Sequence, residues 1–294
     1  MDLNGIIIVD KPEDWTSHDV VAKLRNALKT KRIGHGGTLD PMATGVLPIF
    51  VGRATRASEF CENAEKEYVA DIRLGMVTDT QDITGNVLGT RASSVSSAEL
   101  EAILATFVGP QKQIPPMYSA IKKNGKKLYE LARKGIEVER QARDINISTL
   151  ELMGSNGSDF TLHIVCSKGT YIRTICHDIG AALGVGGTMS SLRRTKAGAF
   201  DIEMAHTLEA ILASAAQGDI SQYLRAVDSI FSEYPAVMLC AAQAAKVKHG
   251  AQITVSGQPD GRYRFYGAED EFLALGNVEN ENVKMIKNFF GVES

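Results

Sequence analysis

One stretch limits what this chain can fold into more than any other: Gly34-His35-Gly36-Gly37-Thr38-Leu39-Asp40-Pro41-Met42-Ala43-Thr44-Gly45-Val46-Leu47. Glycines precede a lone carboxylate, and a proline follows it. Gly36-Gly37 permits positive φ or a close backbone approach to another group. Pro41 biases Asp40 away from the helical region, toward an extended or turn segment. The apolar run from Val46 to Val51 then reads as a buried strand. The result is an aspartate on a tight loop beside the core, a place where chemistry tends to sit. Aspartate before proline is equally a common turn former. Spacing alone leaves both readings open.

Length allows one large domain, or one plus a small one. Net charge is −3, so nothing global announces nucleic acid. Its distribution is more telling: residues 1–199 carry 25 Lys and Arg against 22 Asp and Glu, and the remainder 7 against 13. The basic excess is confined to the N-terminal two-thirds. Cys61, Cys166, Cys176 and Cys240 show no CxxC spacing, and Cys176-His177 lacks the partners of a zinc site. They read as buried thiols of a reduced protein, and no metal is expected. No segment has the apolar length of a membrane span, and the first residues lack the basic start of a signal peptide. The expectation is a cytoplasmic protein.

In chain order, Gly5 to Val9 reads as a buried strand. Ser17 is a fair N-cap for a helix carrying Val20, Val21, Leu24 and Leu28, with basic residues 29–32 at its end. From Lys66 to Leu74 the pattern alternates, and Tyr68, Ala70, Ile72 and Leu74 share one face. On spacing alone Tyr68 is a core tyrosine. Thr78-Asp79-Thr80-Gln81-Asp82 has too few oxygen ligands for a calcium loop and reads as a turn with Asx-type hydrogen bonds. Ser96-Ser97-Ala98-Glu99 is a capping box opening a helix through Phe107. The prolines of 113–120 exclude regular helix.

Ile145–Leu152 and Phe160–Cys166 read as strands joined by a hairpin loop at 154–157. A helix follows with Ile172, Ile175, Ile179 and Leu183 on one face. Arg173 lies in its first turn, where a cation is electrostatically disfavoured, so an acidic partner or ligand is expected. Residues 207–231 read as weakly amphipathic helix. Composition shifts near Ser232-Glu233-Tyr234-Pro235, and the glycine-punctuated segments beyond suggest a small β-rich domain. Strands interspersed with helices fit an α+β fold.

The strongest charge cluster is Lys122, Lys123, Lys126, Lys127, Arg133, Lys134, Arg140 and Arg143, among only three glutamates. Such a run is usually a solvated face. Beside an irregular segment holding Tyr118 and Tyr129, contact with a phosphate backbone is an equal alternative.

Taken together, the motifs resemble the TruB family of bacterial tRNA pseudouridine-55 synthases. The Gly34–Leu47 stretch carries the resemblance, with Asp10-Lys11-Pro12, Lys66-x-Tyr68, Thr78-Asp79-Thr80-x-Asp82-x-x-Gly85, Pro115-Pro116-x-Tyr118-Ser119-Ala120-x-Lys122, Gly169-Thr170-Tyr171-Ile172-Arg173 and Leu192-Arg193-Arg194-Thr195 in the same order. It spans residues 4–200. It implies a mixed, mostly antiparallel sheet with flanking helices and a central RNA-binding cleft. A catalytic domain over 1–231 would bear a thumb-like basic insertion at 119–144, and a PUA-like domain would follow at 235–294. It implies conversion of a T-arm uridine of tRNA to pseudouridine without cofactor or metal, by a monomer needing no protein partner. Asp40 would be the catalytic carboxylate, acting as nucleophile or stabilising positive charge on the sugar, as in retaining glycosidases. Arg173 would pair with it and hold it ionised. Tyr68 would stack on the flipped base and help remove the C5 proton. Tyr171 and Leu192 would line the pocket, and His35 would fill the space the base vacates. Lys122, Lys123, Lys126, Lys127, Arg133 and Arg143 would contact RNA. Gly36 departs from the family's usual Thr or Ala, which implies a more mobile loop.

Two other functions compete. A non-catalytic tRNA-binding or folding protein on the same scaffold would be favoured by loss of the aspartate, tyrosine or arginine, and all three are present. An aspartyl-phosphate phosphotransferase would need acidic ligands for Mg²⁺ near Asp40, and metal dependence would reveal it.

Overall fold

The structure, a computed structural model, describes residues 3–156 and 159–290. Its main sheet has ten strands. Eight lie side by side in the order His206–Thr207, Gly5–Lys11, Thr44–Val51, Gly187–Ala197, Lys66–Leu74, Asp159–Cys166, Arg143–Asn156 and Gly109–Gln113. Ile33–His35 adds to Thr44–Val51, and Phe200–Asp201 to Gly187–Ala197. Pairing is antiparallel except between Gly5–Lys11 and His206–Thr207 and between Gly187–Ala197 and Thr44–Val51. The second parallel contact consists of two residue pairs, Arg193 with Thr44 and Arg194 with Gly45. The sheet is joined at its centre by this short seam, and the Asp40 loop runs into it.

Residue periodicity explains which faces are covered. Lys66–Leu74 alternates buried and half-buried positions without a break. In Gly5–Lys11, Ile7 and Val9 face a core shared with helices Ser17–Ala27, Ser97–Thr106 and Ile172–Ala182. Ile6 and Ile8 face the other way, into a second cluster with Phe50, Phe231, Leu275 and Phe289. A strand covered on both faces needs the unbroken β-branched run Ile6-Ile7-Ile8-Val9. Leu275 and Phe289 belong to a small C-terminal five-stranded sheet, ordered Ala236–Met238, Gly261–Tyr266, Phe272–Glu279, Asn282–Asn288 and Ile253–Thr254. That β-rich unit has its own core around Val247, Phe265 and Leu273, and it lends Leu275 and Phe289 to the second face of the main sheet.

Five local expectations change, and the simplest is that Cys240 is exposed while Cys61, Cys166 and Cys176 are buried. The cap of the first helix is Thr16, which shares a capping box with Asp19. Ser17 is instead buried, with a use described below. Within 207–231 only Leu208–Ala216 is α-helix, followed by short 3-10 turns at Ser221–Tyr223 and Val227–Phe231. Gly218, at φ +79, ends the helix as a left-handed residue does. Residues 154–156 extend the Arg143–Asn156 strand, and Gly157, the last of the expected hairpin loop, lies outside the described residues. Finally, the first helix stops at Ala27, before the basic residues 29–32.

Candidate active site

The Asp40 loop is held at several points. Ser17 Oγ accepts a hydrogen bond from Leu39 N–H at 2.9 Å and donates to Leu39 O at 3.2 Å. Lys11, fully buried, donates to Pro12 O, Trp15 O and Pro41 O at 2.8, 2.6 and 3.0 Å. Burial lowers its ammonium pKa to about 8. Arg194, also buried, donates to Val46 O and Gly37 O at 2.7 and 3.1 Å. Gly37 and Gly45 take φ of +121 and +99, which glycine alone adopts without strain. Gly36, rather than loosening the loop, is buried so tightly that a Cβ would lie 2.8 Å from Cys61 Sγ and the Phe50 ring.

Above this loop stands a buried cation between two carboxylates. Arg173 Nη2 donates to Asp40 Oδ1 at 3.2 Å and to Tyr118 O at 2.8 Å, while Nη1 lies 3.5 Å from Asp82 Oδ2. The helix beginning at Ile172 puts this arginine in its first turn. The two carboxylates offset the electrostatic cost of that position. The sequence points to one acidic partner, and the structure supplies two. Asp82 reads in the sequence as a turn residue, and its Oδ1 does accept from Thr84 N–H at 3.0 Å and Thr80 Oγ1 at 2.8 Å. Those bonds leave Oδ2 to face Arg173. A clue exists, because Asp82 sits in one of the motifs that carry the resemblance.

Accessibility separates the three groups. The Arg173 and Asp82 side chains are 7% and 6% exposed, whereas Asp40 is 32% exposed. Of the three, Asp40 is the one open to solvent. Desolvation by the surrounding protein raises its carboxyl above the ordinary value, with Asp82 adding to the rise and Arg173 and Lys11 opposing it. Pairing with Arg173 favours the ionised form, but desolvation outweighs it.

The other expected residues surround this point. Tyr68 is 8% exposed and part of the core, as its spacing predicts. It is also paired across the sheet with Arg194. Burial raises its phenol pKa, the neighbouring Arg194 charge lowers it, and Asp40 is near enough to be felt. Leu192 lies two residues before Arg194, opposite Ala70, and is buried in the same cluster as Tyr68. Tyr171 precedes the Arg173 helix. The guanidinium groups of Arg173 and Arg143 both lie over its ring, at 5.7 and 5.6 Å from the centroid. Gln113, which no sequence pattern singles out, clasps the Tyr171 backbone with two hydrogen bonds of 3.0 and 2.8 Å. His35 packs edge-on against His18 at 5.5 Å. Burial lowers its pKa to about 4, so the imidazole is neutral at physiological pH.

The basic segment is brought together only in part. Lys122–Lys123 and Lys126–Lys127 form a two-stranded hairpin. Lys127 and Arg133 meet over the Tyr129 ring, at 5.4 and 5.3 Å. Lys122, Lys126 and Arg133 are exposed, while Lys123 is tied to Glu139 O. Arg143 stands apart, at the start of the long sheet strand beside Tyr171. Among the described residues, no group of three or more His, Cys, Asp or Glu side chains could hold a metal ion. No helix among them is long and apolar enough to cross a membrane.

Residues 25–172 match the model of the TruB family pseudouridylate synthase N-terminal domain. Residues 173–231 match the tRNA pseudouridylate synthase B C-terminal domain, and residues 235–284 the C-terminal region of pseudouridine synthase II TruB. The chain is 42% identical over 286 residues to tRNA pseudouridine synthase B of Syntrophomonas wolfei, covering 95% of both chains. It is 42% identical over 283 residues to the protein of that name from an Azoarcus species, covering 96% of this chain and 93% of the relative. Among solved structures it resembles one chain of a Cbf5-Nop10-Gar1 complex, with TM-score 0.75 and 28% identity over 97% of this chain and 85% of that one. A chain of an H/ACA RNP bound to a substrate RNA containing 2′-deoxyuridine also has TM-score 0.75, at 27% identity, covering 98% of this chain and 86% of that one.

Proposed function

The chain belongs to the TruB family of pseudouridylate synthases, and we propose that it modifies the T-arm uridine of tRNA, with Asp40 as nucleophile. It is an isomerase that converts uridine in tRNA to pseudouridine. The observation that carries the proposed mechanism is the arrangement of Asp40, Arg173 and Asp82, in which one carboxylate of the cluster is open and the other two groups are enclosed.

The target bond is inaccessible in a folded loop, so the nucleotide must leave the stack. Asp40 bonds to C1′ as the N1–C1′ bond breaks, and the bonding pair leaves with uracil as a delocalised anion. Arg173 keeps Asp40 aimed and deprotonated as attack begins, and Asp82 holds Arg173 from behind. The uracil turns against Tyr68 and Leu192. C5 attacks C1′, and Asp40 departs with its electron pair. The Tyr68 phenol accepts the C5 proton while surrendering its own to solvent, and N1 takes up a proton. The product is an isomer of the substrate, and Asp40 is regenerated.

Binding falls to a different region. The exposed lysines of the 122–127 hairpin and Arg133 supply phosphate contacts, and Arg143 with Tyr171 joins them to the catalytic cluster. The test uses a tRNA transcript tritiated at uridine C5, and a second transcript in which the T-arm uridine alone is replaced by cytidine. One equivalent of tritium should be released from the first and none from the second. Equal release from both would remove the T-arm assignment.

A further inference from the structure

Arg194 is the feature the mechanism above does not use. It is 1% exposed, among the largest fully buried side chains in the protein. Among the described residues it has no carboxylate within ion-pair distance; it donates to the backbone carbonyls of Val46, Thr38 and Gly37, and the Tyr68 hydroxyl is close enough to feel it as a hydrogen-bond donor. A buried cation without an anion is costly. Its carbonyl partners have a pattern. Val46 lies after Asp40 in the chain, and Gly37 and Thr38 lie before it, at 2.7, 3.1 and 3.5 Å from the guanidinium. One planar fork thus pins both arms of the catalytic loop. The Arg194 backbone does the same at Gly45, where a Cβ would collide with it. Its strand partner is Tyr68, so the same cation sits beside the second proposed catalytic group.

We propose that Arg194 is a positioning residue for the isomerisation, a buried fork that sets Asp40 through its loop and places positive charge beside Tyr68. The inference rests on the roles proposed for Asp40 and Tyr68. Lysine cannot replace it. A single ammonium has no planar fork with which to span carbonyls on both arms of the loop. The charge has a chemical use as well. While the Tyr68 phenol exchanges protons it carries partial negative charge, and a fixed cation stabilises such charge without reorganisation.

The test is single-turnover pseudouridine formation on full-length protein with tRNA transcript, for R194K and R194M. Folding is followed by thermal denaturation and tRNA affinity by equilibrium binding. The expected result is folded protein with unchanged tRNA affinity and a rate lowered about a hundredfold, the scale expected for slight misplacement of a reacting group. Deuterium at uridine C5 should slow R194M further than it slows wild type, an effect that a merely structural role would not produce. An unchanged rate in folded R194K would overturn the proposal. So would a loss explained entirely by tRNA affinity, or failure of both variants to fold at low temperature. Asp40→Asn runs beside them. Turnover by that variant would sink the nucleophile assignment, whereas an inactive Asp40→Asn beside a fully active R194K would sink only the role of Arg194.

Discussion

The Asp40 loop and the basic segment at 119–144 are both irregular and glycine- or proline-marked in sequence, yet they are built on opposite principles. The first is held by Ser17, Lys11 and Arg194, three side chains from three separate elements. The second is a two-residue-per-strand hairpin and a five-residue helix, Leu128–Ala132, with Lys122, Lys126 and Arg133 exposed on and beside them. A reacting group must be placed within a fraction of an ångström before the substrate arrives. A phosphate contact gains from charge at looser geometry, because its energy comes mainly from counterion release. Under the proposed mechanism, over-determination goes with the reacting group, and charge without tight support goes with phosphate contact.

The comparison can be broken first at Arg173. Arg173→Lys should lower single-turnover rate by at least about a hundredfold, because a compact ammonium lacks the planar fork whose separate nitrogens face Asp40 and Asp82. Asp82→Asn should fall nearly as far, although the Asp82 side chain is enclosed, and tRNA affinity should hold in both. A large loss of affinity instead would place the cluster in binding.

The basic segment should give the reverse pattern. Neutralising Lys122, Lys126 and Arg133 together should weaken tRNA binding and reduce the slope of log K against log salt by about 0.7–0.9 for each phosphate no longer neutralised. The rate at saturating tRNA should not change. An unchanged slope would make the segment a solvated face.

Smaller effects sharpen the account of the loop. Ser17→Ala leaves Leu39 N–H and C=O without their partner, and should cost about 1–3 kcal/mol, the usual result of orphaning buried polar groups. Urea denaturation would measure it. Asp40→Asn should do the opposite. The folded carboxyl titrates above its unfolded value, so at neutral pH the carboxylate subtracts stability. The asparagine variant should therefore melt higher than wild type near pH 7. The difference should vanish as pH falls below the ordinary aspartate range, where the carboxyl is protonated in both states. A lower melting temperature across that window would contradict the direction of the shift.

Much of this is legible in residue order. The alternation in 66–74, the two-faced apolar run at 6–9 and the capping box at Ser96 are local patterns, and each forms the element it predicts. Arg173 announces a partner by standing where a helix dipole disfavours it. What stays hidden depends on contacts distant in sequence. Asp82 looks like a turn former because its Oδ1 is one, and nothing local shows that Oδ2 faces a residue 91 positions later. Arg194 stands in the sequence only as a member of the Leu192-Arg193-Arg194-Thr195 motif, since burial of a cation on carbonyls distant in sequence leaves no periodic signal. Ser17 passes for a cap because it follows the true cap, Thr16, by one residue. The 207–231 segment departs for a different reason. Its apolar residues pack 3-10 turns against the sheet and the C-terminal unit, so tertiary contact overrides a weak helical pattern.

The most direct measurement is a single-turnover tritium-release assay on C5-labelled tRNA in EDTA, with wild type and Asp40→Asn at concentrations that saturate binding. Wild type should release one equivalent, and Asp40→Asn should bind tRNA as well while releasing none. Release by Asp40→Asn at a comparable rate would contradict the claim that the whole loop is built to hold one reacting carboxylate.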